Sequence, residues 1–157
     1  MKKKDIVIGL VILAVLAGTI YFIRKPRQRL EELPSPSIEE RIEESFNLEI
    51  PDDVDKAQLR DITGGTSSGM ATRIFESGKF KHMVLADLPD PVTGVFYEGW
   101  LVKDNDFFST GKMRIAKGGW ILEFESSIDY SDYNKVVVTQ ELIDDENPET
   151  HILEGEF

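Results

Sequence analysis

Few side chains in this 157-residue sequence belong to the types that carry out catalysis or bind metals. There is no cysteine, which excludes a disulfide framework, a thiolate zinc site and a cysteine nucleophile. The two histidines, His82 and His151, are far apart, and neither has partners at metal-ligand spacing, so we expect strand or surface histidines. No serine stands in a nucleophile-elbow pattern. The sequence therefore predicts a protein that is not an enzyme, with no catalytic residue, cofactor or metal site.

Two kinds of loop resemble ligand sites. Residues 64–69 read GGTSSG, but a phosphate-binding loop also needs a lysine and a following helix, so we predict an inter-strand turn. Acidic clusters at 104–106, 129–132 and 144–146 offer the oxygen ligands that calcium accepts, yet none matches the twelve-residue calcium loop. Because Asp and Asn are common turn residues, we interpret these clusters as turns, with a calcium site as the alternative.

Charge is distributed very unevenly along the chain. Residues 1–30 contain seven basic residues and one acid, for a net charge of +6, while residues 31–157 contain 11 basic and 28 acidic residues, for −17. An acidic body argues against nucleic-acid binding. A basic head on such a body indicates contact with a membrane or a polyanion.

The basic head contains a long apolar run. Residues 6–23, IVIGLVILAVLAGTIYFI, are eighteen residues without a charge, which as a helix would span about 27 Å, close to the hydrocarbon thickness of a bilayer. We predict a single transmembrane helix at 6–23 with a cytoplasmic head at 1–5. A cleaved signal peptide is the alternative, but no small-x-small cleavage site follows the run.

The next segment predicts a stalk with one short helix. Residues 24–56 contain Pro26, Pro34 and Pro36, which disfavour a continuous helix. Ser37-Ile-Glu-Glu40 then has the spacing of a capping box, and apolar residues recur every four positions from Ile38. This pattern predicts an amphipathic helix over 37–47.

Residues 57–157 predict an all-β domain, because short apolar or alternating runs are separated by turn residues. The predicted strands lie at 58–63, 71–76, 80–87, 95–103, 111–116, 120–126, 135–141 and 151–157. Seven to eight strands at this spacing are typical of an antiparallel β-sandwich. Tyr97 and Trp100 are predicted on opposite faces of one strand, so one belongs to the core and the other is a candidate for a surface groove.

The order of several short motifs resembles the extracytoplasmic C-terminal domain of anti-sigma-K factors. The motifs span residues 63–157, and each is short, so their order carries the resemblance. They are Gly69-Met-Ala71, Leu88-Pro89, Gly94, Tyr97-Glu-Gly-Trp100-Leu-Val102, Ser109-Thr-Gly111, Val136-Val-Val-Thr139 with Glu141, Pro148 and Ile152-Leu-Glu-Gly155.

The resemblance implies an anchored outer domain that binds or senses, with the amino terminus inside the cell and the body outside. Family members carry a cytoplasmic sigma-binding region before the span, whereas this sequence has five residues there, so no direct binding of a sigma factor is expected from this chain. Two function classes remain. The first is a binding or sensing module of the bacterial envelope with the lipid bilayer and an envelope protein as partners; the second is a structural or adhesion protein.

Extraction of the protein from membranes tests the predicted transmembrane helix. An apolar helix of this length does not leave lipid, so the full chain should remain in the membrane pellet after high-salt or carbonate washing. A chain that lacks residues 1–30 should be found in the supernatant as a folded domain. Recovery of the full chain in the supernatant would contradict the transmembrane prediction.

Overall fold

A computed structural model describes Val15 and residues 35–157. The predicted head, the transmembrane segment at 6–23 and the proline-containing part of the stalk up to residue 34 lie outside the residues described in full. Within the described part, no helix is both long and apolar enough to cross a membrane. The transmembrane helix therefore stays a prediction, and the architecture below is that of residues 36–157, which form a compact unit.

Helix α1 runs over Ile38–Phe46, as the capping box predicts. The Ser37 hydroxyl accepts a hydrogen bond from the Glu40 backbone N–H at 3.1 Å, and the Glu40 carboxylate accepts one from the Ser37 N–H at 2.7 Å. These bonds satisfy two donors that the first turn of a helix leaves free. The helix ends at Asn47, whose φ of 53° lies in the left-handed region.

Nine strands follow the helix. They are β1 (Asp55–Asp61), β2 (Ser68–Glu76), β3 (Lys79–Asp87), β4 (Phe96–Lys103), β5 (Asp106–Lys112), β6 (Arg114–Ala116), β7 (Gly119–Ser126), β8 (Lys135–Glu141) and β9 (Thr150–Glu156). Every pairing is antiparallel, which confirms the predicted all-β antiparallel body.

All nine strands belong to one sheet, in the order β5-β4-β8-β9-β1-β2-β3-β7-β6. The sequence predicts seven or eight strands, and the difference lies at 106–116. Thr110 is an extra residue in β5, opposite the step from Gly99 to Trp100, and this β-bulge is followed by a break at Met113. A bulge bends its strand, so the predicted strand at 111–116 is divided between β5 and β6.

Met113 brings the two ends of the sheet together. It is the only residue between β5 and β6, which are the two edge strands, and its backbone N–H donates to the Tyr97 carbonyl at 2.8 Å. Beyond this corner, Phe108 of β5 lies 5.8 Å from Phe124 of β7 between ring centroids. The Tyr130 ring, from the loop after β7, lies 4.5 Å from Phe108. The sheet is therefore nearly closed around its interior.

The inner face of the sheet holds one apolar core to which both halves of the sheet contribute. Buried members include Leu59, Ala71, Phe80, Val84, Leu101, Leu122, Val136, Val138 and Leu153. A second cluster lies on the outer face of β2 and β3, where Ile42 and Phe46 of α1 pack against Met70 and Leu85. The helix thus covers part of the outer face on one half of the sheet.

The position of α1 predicts different effects of the same substitution at two hairpin glycines. Gly78 and Gly118 both have positive φ, of 74° and 99°, so alanine costs about 1–2 kcal/mol of backbone strain at either position. A Cβ on Gly78 would meet no atom within 4 Å, whereas one on Gly118 would lie 2.2 Å from the Ser45 carbonyl oxygen of α1.

We therefore expect G118A to lower the free energy of unfolding by several kcal/mol, because helix and hairpin backbones must separate. G78A is the matched control, and denaturant titration measures both. Equal losses for the two variants would mean that α1 does not lie against the β6–β7 hairpin.

Candidate functional site

The described residues contain no group of three or more His, Cys, Asp or Glu side chains that could hold a metal ion. Carboxylates of the acidic turns contact neighbouring side chains instead. Asp106 accepts from the Tyr133 hydroxyl, Asp132 pairs with Lys103, and Asp144 lies 2.7 Å from the Lys112 ammonium. These contacts fix the turns, which is the role that the sequence predicts for them.

Residues 64–67 of the GGTSSG segment lie in the loop between β1 and β2, as predicted, whereas Ser68 and Gly69 already belong to β2. The loop is organised by Asp61. Its Oδ1 accepts hydrogen bonds from the Thr63 N–H and hydroxyl, both at 2.7 Å, and from the Gly65 N–H at 3.1 Å. Its Oδ2 accepts from the Ser67 N–H at 3.2 Å. These bonds, led by the Thr63 hydroxyl, lower the pKa of Asp61 to about 2. The amides that resemble a phosphate cradle therefore bind the chain's own carboxylate.

His82 is a strand residue of β3, but it is buried rather than exposed, with 2% of its surface accessible. Its Nδ1 is 2.9 Å from the Thr72 carbonyl oxygen, and burial lowers its pKa to about 4, so the ring is neutral at physiological pH. Nearby, Arg73 stacks on Phe157 at 4.1 Å and donates to the Tyr133 carbonyl at 2.8 Å. Both side chains connect strands and loops of the body, which is a structural role.

Tyr97 and Trp100 point to opposite faces of β4. Tyr97 is 3% exposed, belongs to the inner core and donates its hydroxyl to the Pro89 carbonyl at 3.1 Å. Trp100 lies outside that core and pairs with Val137 of β8 on the outer face. It is only 1% exposed, and its indole N–H donates to the Thr139 hydroxyl at 2.8 Å. A buried tryptophan on an outer face requires a cover.

Trp100 forms part of an apolar groove of about 260 Å³ across the outer face of β5, β4, β8 and β9. Its apolar lining is Trp100, Val102, Phe107, Val137 and Pro148. Phe107 is 41% exposed at the lip, with its ring centroid 6.1 Å from that of Trp100. At the β9 end the groove is bordered by Lys135 and His151. Both side chains are engaged by Glu154, whose carboxylate oxygens lie 2.6 Å from the Lys135 ammonium and 2.8 Å from the His151 Nδ1.

The loop between β8 and β9, residues 142–149, provides the cover. Lys112 of β5 pairs with Asp144 at 2.7 Å, and the Glu149 N–H donates to the Glu141 carboxylate at 3.0 Å. The loop brings Pro148 to the Trp100 groove. It also brings Glu146 and Asn147 to a second depression of about 620 Å³ along residues 105–109. Phe107 lines both, so the two depressions adjoin at this side chain, next to residues 146–148, and we refer to the pair as the trough.

Two carboxyl groups are buried under this loop. Glu98 is 4% exposed and Glu141 is 1% exposed. One oxygen of Glu98 accepts from the Ser109 hydroxyl, while the other has no hydrogen-bond partner. Burial raises the pKa of Glu98, and the nearby Glu141 carboxylate raises it further. A buried carboxylate with a free oxygen costs stability, so its presence beside the groove favours a functional role.

Another depression, of about 250 Å³, lies between the β2–β3–β7 half of the sheet and residues 51–54. Its lining mixes apolar Val54 and Met83 with the charged ends of Lys81 and Glu125. Its lining also includes buried His82, whose Nε2 has no hydrogen-bond partner, but it contains no buried, unpartnered carboxylate. We therefore assign the candidate site to the Trp100 groove.

Sequence reasoning finds only part of this site. The alternation Glu98, Trp100, Val102 places these residues on one face of β4, and Trp100 is a predicted groove residue. The contributions of Phe107, Pro148 and His151 depend on strand register and on the fold of the 142–149 loop, for which the sequence gives no local signal.

No family model, curated protein or solved structure matches the chain. We therefore infer the function from the side chains that line the Trp100 groove and from their geometry.

Glu98 generates a pH-dependent prediction. Burial raises the folded-state pKa of Glu98 above its ordinary value of 4.5, so the folded state holds the proton more tightly than the unfolded state. Its contribution to stability is greatest below pH 4.5 and is lost as the pH rises through the folded-state pKa. E98Q keeps an oxygen for the Ser109 hydroxyl without the charge. We expect its Tm to exceed the wild-type value by roughly 2–4 °C at neutral pH.

This difference should close near pH 4, where the wild-type carboxyl is also neutral. The matched control is E125Q, at an exposed acid on β7, which should leave the Tm nearly unchanged at both pH values. Thermal melts followed by circular dichroism measure all three proteins. A loss of stability in E98Q at neutral pH would show that the charged carboxylate is well compensated.

Proposed function

We propose that this chain is a membrane-anchored, non-enzymatic binding or sensing module on the outer face of a bacterial cell membrane. In this proposal residues 6–23 are a single-pass anchor with a cytoplasmic amino terminus, and the body is a sandwich-like extracytoplasmic domain. The observation that carries the proposal is the apolar groove in which Trp100 and Phe107 lie under the 142–149 loop. Single exposed apolar residues are ordinary, but a concave apolar site is a feature of binding surfaces.

Most of the motifs that carry the family resemblance lie on the half of the sheet that contains the groove. The motifs at 97–102, 109–111, 136–141 and 152–155 lie on β4, β5, β8 and β9, which are neighbours in the sheet. Pro148, another residue of the resemblance, lines the groove. The proposed relationship to the C-terminal domain of anti-sigma-K factors and the proposed binding site therefore involve the same four strands.

The chemistry of the lining favours binding over catalysis. The groove offers hydrocarbon and aromatic surface. The two basic side chains at its border, Lys135 and His151, both contact Glu154. Such a surface gains affinity from apolar area removed from water. Its natural partner is a segment of another envelope protein rather than a reacting small molecule.

A structural or adhesion role is the second candidate. The observation that favours it is the charge of −17 on residues 31–157, which would keep an outer domain hydrated and repelled from anionic headgroups. In that role the acidic surface as a whole, and not the groove, would meet other molecules.

Site-specific photo-crosslinking in intact cells separates the two functions. A photoreactive amino acid at the position of Phe107 should give a discrete crosslinked product, whereas one at exposed Lys79, in the β2–β3 hairpin, should not. V102E, which places a charge in the groove, should abolish the product at 107. Equal products at both positions, or a product that V102E leaves unchanged, would favour the structural role.

A further inference from the structure

The trough is electrically asymmetric along its length. At the β9 end, the Lys135 ammonium and the Nδ1 of His151 lie within 2.8 Å of Glu154 oxygens. At the β5 end, the depression along residues 105–109 is lined by Asp106 and Glu146, and its lining includes no basic side chain. Lys103, which pairs with Asp132, also interacts with the charge of Asp106, whereas Glu146 forms no ion pair with another described residue. The end that borders β5 is therefore the more negative of the two.

A buried group adds to this negative charge. Ser109 lines the β5 end of the trough and donates its hydroxyl to Glu98. Glu98 is buried, with 4% of its surface exposed, and its second carboxylate oxygen has no hydrogen-bond partner. Because charges interact more strongly where water is excluded, this carboxylate favours a cation at the trough more than an exposed one would.

The shape of the trough favours an extended peptide. It crosses four strands and ends at β5, which is an edge strand of the sheet. An extended chain places alternate side chains on one side, so one residue can enter the apolar part while a residue two positions away reaches the acidic end.

We propose that the trough binds an extended peptide that is both apolar and basic. One aliphatic or aromatic side chain packs on Phe107 and Val102 above the buried Trp100, and a lysine or arginine lies beside Glu146 and Asp106. This assignment rests on the proposed binding function and names the class of partner: a basic, extended segment of an envelope protein.

Three fluorescently labelled pentapeptides test the assignment on the full chain in detergent micelles. They are Ser-Phe-Ser-Lys-Ser, Ser-Phe-Ser-Ser-Ser and Ser-Phe-Ser-Glu-Ser, each labelled at its amino terminus and amidated at its carboxyl terminus, and fluorescence anisotropy measures the binding. The basic peptide should bind about tenfold or more tightly than the acidic one, and added salt should weaken its binding. Equal affinities for the basic and acidic peptides would overturn the proposal.

Two matched charge reversals locate the site. E146K, at the lip of the trough, should weaken the basic peptide at least about fivefold, while E125K, on the outer face of β7, changes the net charge equally and should have little effect. Equal losses would mean that the basic peptide follows the overall charge of the body, which overturns the site. F107S should weaken the binding of every peptide that enters the groove.

The result also separates this proposal from the proposed function. If all three peptides bind equally and F107S abolishes their binding, the groove is a binding site but its preference for basic partners is wrong. If no peptide binds, the peptide assignment falls, whereas the crosslink at Phe107 in cells still tests the binding function on its own.

Discussion

The connection at Met113 is the constraint on which the rest of the architecture depends. β5 and β6 are opposite edges of the hydrogen-bonded order, yet one residue joins them, so the sheet must curl until its two ends meet. This curvature makes one face of every strand interior and gives both halves a common core. It also leaves two outer half-faces, which the chain treats differently. On one, α1 packs against Met70 and Leu85; on the other, Trp100 is buried beside the 142–149 loop, while Phe107 in the same groove stays 41% exposed.

The difference between the two half-faces gives the functional interpretation its physical basis. Ile42 and Phe46 of the helix pack against the outer face of β2 and β3, and this contact buries only apolar surface, which by itself stabilises the fold. The loop instead covers a tryptophan and two carboxyl groups, Glu98 and Glu141, and is itself acidic at residues 144–146. A cover selected for stability alone would not bury an unpartnered carboxylate. The arrangement is better explained by a surface that a basic, apolar partner completes.

The features that sequence predicts well are those with local causes. The capping residues Ser37 and Glu40 define the start of α1, and Ser77-Gly78 gives the tight turn of the β2–β3 hairpin because both residues have positive φ. Alternation predicts the strands and the opposite faces of Tyr97 and Trp100. The single sheet is not predictable in this way, because alternation reports that one face is buried and not which strands are hydrogen-bonded neighbours. The bulge at Thr110 that divides the strand at 111–116 likewise depends on the pairing with β4.

The site is less predictable than the fold. In so acidic a sequence Glu98 resembles any surface acid, and its burial beside Ser109 and Glu141 follows from the pairing of β4 with β5 and β8. His82 is likewise buried among residues that only the folded sheet brings together. The most direct test of the position of Trp100 on the outer face is a nuclear Overhauser spectrum that resolves its indole protons. We expect cross-peaks to Phe107, Val137 and Pro148, which share the outer groove. Cross-peaks to the interior residues Leu122 and Val84 instead would place Trp100 in the core and contradict both the groove and the function built on it.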